Sequence, residues 1–106
     1  MNKQEKINAI RQLLDAPSTV DKYYDLLENM GDLKYNYHDY ATTAPIDCDK
    51  ELERLQSADY ELCTALLTMI LREDHFANDT FEIRQKDGEV TAILNRMIEA
   101  LEALEA

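Results

Sequence analysis

The sequence predicts an all-α fold of about five helices in one compact domain, with room for one short extended segment or hairpin. Two observations carry this. The 106 residues include only two glycines and two prolines, which leaves few sites for tight turns and favours a few long helices over many short strands. Apolar residues also recur at three- and four-residue intervals, the spacing that lines one face of a helix. The hydrophobic fraction is 45% and the charged fraction 31%, values that exclude disorder throughout and fit a single globular domain of this length.

Each element follows from local signals. Residues 4–14 place Ile7, Ile10, Leu13 and Leu14 on one helical face, and Pro17 stops the helix because the residue before a proline is pushed out of the α region. Ser18 stands where an N-cap belongs, with Asp21 as the acidic partner of a capping box. The second helix runs from about Thr19 to Met30 with Val20, Tyr23, Tyr24, Leu27 and Met30 inward, and Gly31 supplies the left-handed residue after it. Residues 33–40 alternate, with Leu33, Tyr35 and Tyr37 on one side and Lys34, Asn36 and His38 on the other. That period of two reads as a loop or an isolated strand. Residues 41–46 form a connector.

Asp47 caps a short helix through about Ser57, with Cys48, Leu52 and Leu55 on one side. Ser57 or Asp59 caps the next, over about 58–74, where Leu62, Ala65, Leu66, Met69 and Ile70 keep helical spacing and Cys63, Leu67 and Leu71 widen the apolar arc. A helix apolar around most of its circumference is a central one. Residues 75–88 admit two readings. One is a short helix capped at Asn78, Asp79 or Thr80, carrying Phe81 and Ile83 and ended by Gly88. The other is a hairpin turning at Lys86–Gly88. The helix is favoured, because the next segment is plainly helical: Val90, Ile93, Leu94, Met97, Ile98, Leu101 and Leu104 hold its stripe. Glu99, Glu102 and Glu105 oppose the helix dipole, so its end is expected to fray.

Charge is the distinctive property. Twenty-two acids against eleven bases give a net charge of −11. Such a chain repels nucleic acids and anionic membranes, and no two basic residues are adjacent to make a local exception. Direct nucleic-acid and membrane binding are therefore not expected. Residues 21–61 hold eleven of the acids against Lys22, Lys34, Lys50 and Arg54, so the middle of the chain is the most acidic part. No segment has the apolar length of a signal peptide or a membrane span. A cytoplasmic setting with Cys48 and Cys63 reduced is expected.

Chemistry-bearing motifs are sparse. His38 sits beside Asp39, and His75 follows Glu73 and Asp74, but neighbours along a helix point in different directions. Cys48 and Cys63 lack the short spacing of zinc ligands, and the Asp47–Glu51 stretch lacks the glycine and spacing of a calcium loop. With two glycines, a backbone cradle for phosphate is also excluded. No catalytic residue, cofactor or metal is expected.

Asp21, Asp25, Glu28 and Asp32 are spaced four, three and four residues apart. At about 100° per residue they share about 60° of arc, almost opposite Tyr23, Leu27 and Met30. Consecutive carboxylates about 5–6 Å apart on such a row match the spacing of phosphates along a nucleic-acid strand. All six tyrosines lie between residues 23 and 60, and tyrosine favours interfaces because it joins an apolar body to a polar tip. The expected protein-binding surface is thus Asp21, Asp25, Glu28, Asp32, Tyr35, Tyr37 and Tyr40. The plainer alternative is a solvated helix face beside tyrosines that belong partly to the core.

Leu67, Thr68, Arg72, Phe76, Gly88, Ile93 and Leu94 carry a pattern of L-T-x-x-x-R-x-x-x-F, a short helix, a Gly and a closing helix. Over residues 62–98 this resembles a family of small uncharacterised bacterial proteins. The chain departs from that pattern at Asn78 and Asp79, where a Gly is usual, and at His75, where a basic residue is common. The resemblance implies a small, mainly helical domain and no assigned activity.

The function that size, charge and tyrosines favour is a non-enzymatic inhibitor. It would bind a basic, nucleic-acid-binding protein by charge mimicry, in the manner of small acidic anti-CRISPR or anti-restriction proteins of phage. The alternative is a helical, dimeric binding module or antitoxin-like protein, a homodimer whose acidity keeps it in solution. The third reading is a small enzyme or metal protein using His38 or His75.

Overall fold

A computed structural model describes residues 1–104 of the chain. It contains six α-helices: α1 Lys3–Asp15, α2 Val20–Met30, α3 Cys48–Leu52, α4 Tyr60–Phe76, α5 Thr80–Lys86 and α6 Glu89–Ala103. Short 3-10 turns lie at Tyr37–Tyr40 and Leu55–Ser57, and no strand occurs among the described residues.

The centre is α4. Every residue from Cys63 to Leu71 is buried, so this helix is enclosed on all sides. It packs against α6, α5, α3, α2 and the Tyr37–Tyr40 turn, and α6 in turn packs on α1. Thr64 and Thr68 are buried within the apolar run. Their hydroxyls donate to the carbonyls of Glu61 and Thr64, each at 2.8 Å, which satisfies them without a partner from outside the helix. Asp59 caps α4 by accepting from the Leu62 N–H at 2.8 Å. Cys48 and Cys63 are unpaired and buried.

Several elements differ from the sequence expectation. The 33–40 segment is not extended. The Asp39 N–H donates to Asn36 O and the Ala41 N–H to His38 O, closing a 3-10 turn that satisfies backbone groups locally. A lone strand has no partner to do so. Helix α2 is not capped by Ser18. Thr19 holds the cap position without a side-chain bond, while the hydroxyl of Tyr23 accepts from the Ser18 N–H at 3.4 Å. The helix expected through Ser57 stops at Leu52 and resumes as the 3-10 turn.

The 75–88 segment is the helix rather than the hairpin. Asp79 precedes α5 with φ 71° and makes no cap bond. Asp74 does that work from the end of α4, accepting from the Phe81 N–H at 3.1 Å. Phe81 is buried against Tyr23, ring centroids 4.9 Å apart. Ile83 is exposed, since residues two apart on a helix lie on different faces. Leu104 is exposed too, because α6 ends at Ala103. The Lys3 ammonium from α1 donates to Leu104 O at 2.9 Å, placing a cation at the acidic C-terminal end of α6. Glu105 lies outside the described residues.

The helices are tied together by one buried cation. Arg84 of α5 donates to both carboxylate oxygens of Glu73 in α4, from Nε at 2.7 Å and from Nη2 at 2.8 Å. Its Nη1 reaches Asp49 of α3 at 2.9 Å and Glu89 of α6 at 2.6 Å. Four helices therefore meet at one guanidinium, whose planar fork suits such multiple recognition. Arg84→Met leaves three carboxylates facing one another around an apolar stub. Asp49 is largely solvated, which limits the penalty. The variant is expected to lose about 2–3 kcal/mol of stability in urea denaturation at pH 7. A loss under about 0.5 kcal/mol would show that the cluster does not hold the helices together.

Candidate functional site

Two surfaces stand out, an acidic face on α2 and a cleft beside α4. On α2, Tyr23, Leu26, Leu27 and Met30 are buried and Asp21, Asp25 and Glu28 are exposed. Asp32 is not part of this row. Gly31 turns left-handed at φ 75°. The Gly31 and Asp32 N–H groups then donate back to Glu28 O at 3.0 Å and Leu27 O at 2.9 Å, a Schellman ending that redirects the chain. Asp32 points inward instead. It accepts from the Tyr60 hydroxyl at 2.6 Å and pairs with Lys6 of α1 at 2.8 Å. Burial, with Asp32 beside it, pushes the Tyr60 hydroxyl pKa above its ordinary value. The expected row of four carboxylates is a row of three on the helix plus one structural anchor.

The three tyrosines also separate. Tyr35 is 84% exposed, ahead of the Tyr37–Tyr40 turn. Tyr37 and Tyr40 are half-buried against the core. Tyr37 lines the cleft, and the Tyr40 carbonyl accepts from Arg54 at 2.6 Å.

The cleft has a volume of about 650 Å³, within the range of small-molecule sites. One wall is a single stripe of α4, Met69, Arg72, Glu73 and Phe76, spaced three, one and three residues apart. The other wall is Tyr37, His38 and the loop Ala41–Ile46, with Cys48 of α3 alongside. Phe76 is 81% exposed, an uncovered aromatic at the cleft margin. The Tyr24 and Tyr37 hydroxyls lie beside the Arg72 guanidinium and raise its pKa.

A buried carboxylate builds the loop wall. Glu51 is fully buried. It accepts the Thr42 N–H at 2.8 Å and its hydroxyl at 3.0 Å, and the Thr43 N–H at 2.8 Å and its hydroxyl at 2.5 Å. Arg54 donates a further bond at 2.9 Å. The Thr43 hydroxyl accepts from the Asp47 N–H at 2.8 Å, so the loop is pinned at both ends. Burial alone raises a carboxyl pKa, but the bonds from Thr43, Thr42 and Arg54 outweigh it and lower Glu51 to about 2.

The histidines are exposed and neither pairs with a carboxylate among the described residues. His38 stacks on Tyr37 with ring centroids 4.2 Å apart, and His75 meets the Phe76 ring edge-on at 5.1 Å. Burial pushes the thiols of Cys48 and Cys63 up to about 12, so the sulfur in the cleft wall stays protonated at neutral pH and is a poor nucleophile. No cluster of three metal-ligating side chains occurs among the described residues, and no described helix is long and apolar enough to cross a membrane.

Glu51, Arg72, Phe76 and Arg84 were not expected from pattern alone. Two neighbouring threonines eight and nine residues before Glu51 are the one local signal for its role. Arg72 and Phe76 stood out only through the L-T-x-x-x-R-x-x-x-F resemblance.

These features define a small helical protein with an exposed acidic helix face and a separate cleft of mixed apolar and polar lining. Residues 2–103 match DUF6508, a family of unknown function, and the chain belongs to that family. The match extends well beyond residues 62–98. Comparison with curated proteins and with solved structures finds no match.

The Glu51 carboxyl is held below its ordinary value of about 4.5. Its stabilisation is therefore complete above pH 4.5 and is lost as the pH falls toward 2. Glu51→Gln, which puts an amide donor against N–H and hydroxyl donors, is expected to cost about 2–3 kcal/mol at pH 7. The gap from wild type should narrow in denaturation curves between pH 4.5 and pH 2. A gap that stays constant with pH would show that the ionised form is not what holds the loop.

Proposed function

We propose that this protein is a non-enzymatic interaction protein that binds a basic, nucleic-acid-binding partner and inhibits it by charge mimicry, with the exposed face of α2 as its contact. A restriction or CRISPR nuclease is the partner class this reading favours. The observation that carries it is the state of Asp21, Asp25 and Glu28. All three are exposed and none forms an ion pair among the described residues. Asp32, Glu51, Glu73 and Glu89, by contrast, are neutralised inside the fold.

The row is also held stiffly. Gln85 of α5 donates to Ser18 O at 2.9 Å and to the Tyr23 hydroxyl at 3.0 Å, fixing the start of α2. The Asp32–Lys6–Tyr60 contacts fix its end. Carboxylates on a fixed frame lose little freedom when a partner binds. The net charge of −11 adds long-range attraction to a basic groove, which acts chiefly on the association rate.

The test is capture of basic nucleic-acid enzymes by the immobilised protein, followed by association kinetics for whichever one is retained. The triple variant D21N/D25N/E28Q is expected to associate at least about tenfold more slowly at low salt, with a weaker dependence of rate on ionic strength. Asp32→Asn should instead lower stability and leave the charge-driven association rate of the folded fraction near wild type. Capture that survives the triple change at full rate would remove α2 as the contact.

A further inference from the structure

The cleft beside α4 has no part in the α2 reading, and its chemistry points to a different ligand. We propose that it is a binding site for a small monoanionic amphiphile, a carboxylate on an apolar chain, with the head on Arg72 and the chain laid over Phe76, Ile46 and Pro45.

Charge complementarity fixes the head. Arg72 forms no ion pair among the described residues, in a protein with a twofold excess of acids. Its neighbour in the same wall, Glu73, is already held in a two-point pair with Arg84 and so leaves Arg72 uncompensated. A guanidinium offers a carboxylate two parallel hydrogen bonds, and the hydroxyl of Tyr37, which shares the cleft lining, is a further donor. The apolar part of the lining fixes the body. Ala41, Ala44, Pro45, Ile46 and Met69 are apolar, and Phe76 presents most of its ring to water. An apolar chain removes that surface from solvent. The net charge of −11 disfavours a doubly charged head, so a carboxylate is preferred to a phosphate monoester.

The loop wall of the cleft is pinned by hydrogen bonds before any ligand arrives. Glu51 holds Thr42 and Thr43 in place, so the loop does not have to be ordered on binding, which preserves affinity.

The experiment is a titration of ¹⁵N-labelled full-length protein with sodium octanoate, 1-octanol and octyl phosphate, each below its aggregation limit. Octanoate is expected to give saturable shifts at amides of residues 37–46 and 69–77, and to bind about tenfold tighter than the uncharged alcohol. Arg72→Gln, a change at an exposed position, should bring octanoate down to the affinity of octanol and leave octanol unchanged, with the far-UV circular dichroism of wild type. The assignment is overturned by an absence of saturable shifts in these segments, by equal wild-type affinity for acid and alcohol, or by an Arg72→Gln protein that keeps wild-type affinity for octanoate. Octyl phosphate binding tenfold tighter than octanoate overturns the monoanionic choice. The α2 triple variant should bind octanoate as wild type does, which separates failure here from failure of the charge-mimic reading.

Discussion

The enclosure of α4 is the constraint on which the rest of the structure depends. From Cys63 to Leu71 the helix exposes no side chain, so no single neighbour can bury it. The chain answers by wrapping it: α6 and α5 follow it in sequence, α3 and the Tyr37–Tyr40 turn precede it, and α2 crosses from further back. Burying apolar surface at about 25 cal/mol per Å² is the dominant favourable term in such packing. A helix covered on every side also needs its polar groups satisfied from within, and the inward bonds of Thr64 and Thr68 do this.

The charges divide along the same line. Cations are scarce, and five of the eleven are drawn into contacts that tie the fold together. Arg84 gathers three carboxylates, Arg54 supports Glu51, Lys6 pairs with Asp32, and Lys34 pairs with Glu61. Arg96 reaches across to the Ala58 carbonyl at 2.9 Å. What remains outside is an acidic surface with few compensating positive groups, and Asp21, Asp25 and Glu28 belong to it. Arg72, like Arg11, Lys22 and Lys50, forms no ion pair among the described residues, and of these four it is the one in the cleft lining. Both surfaces carry charges that the fold leaves without partners: acids on α2 and a base beside α4.

Much of this was legible in the sequence. The apolar arc over 60–71 marked the central helix, and the stripe from Val90 marked α6, because burial leaves a strong periodic trace. Gly31 and Gly88 marked helix boundaries, and both are left-handed as such positions require. What was missed shares a cause. The phase of a helix says nothing once the helix has ended, so Asp32, one residue past Gly31, was carried on a row it does not join. Alternation at 33–40 looked extended because Tyr35 and Tyr37 are two apart, yet the local turn settles the backbone first. Pattern within a segment also cannot show what arrives from elsewhere. Arg84 meets Asp49 from 35 positions away, and Glu51 meets a loop folded back on it. Four of the seven residues of the expected surface, Asp21, Asp25, Glu28 and Tyr35, are exposed. The cleft, assembled from three separate segments, left no trace in spacing.

Amide hydrogen exchange under native conditions tests the central claim most directly. If enclosure of α4 organises the fold, amides from Thr64 to Leu71 open only when the whole molecule unfolds, with an opening free energy equal to that from denaturation. The other helices should exchange no more slowly than this segment. An α4 that exchanges through a cheaper, local opening, faster than α6 or α1, would contradict the account.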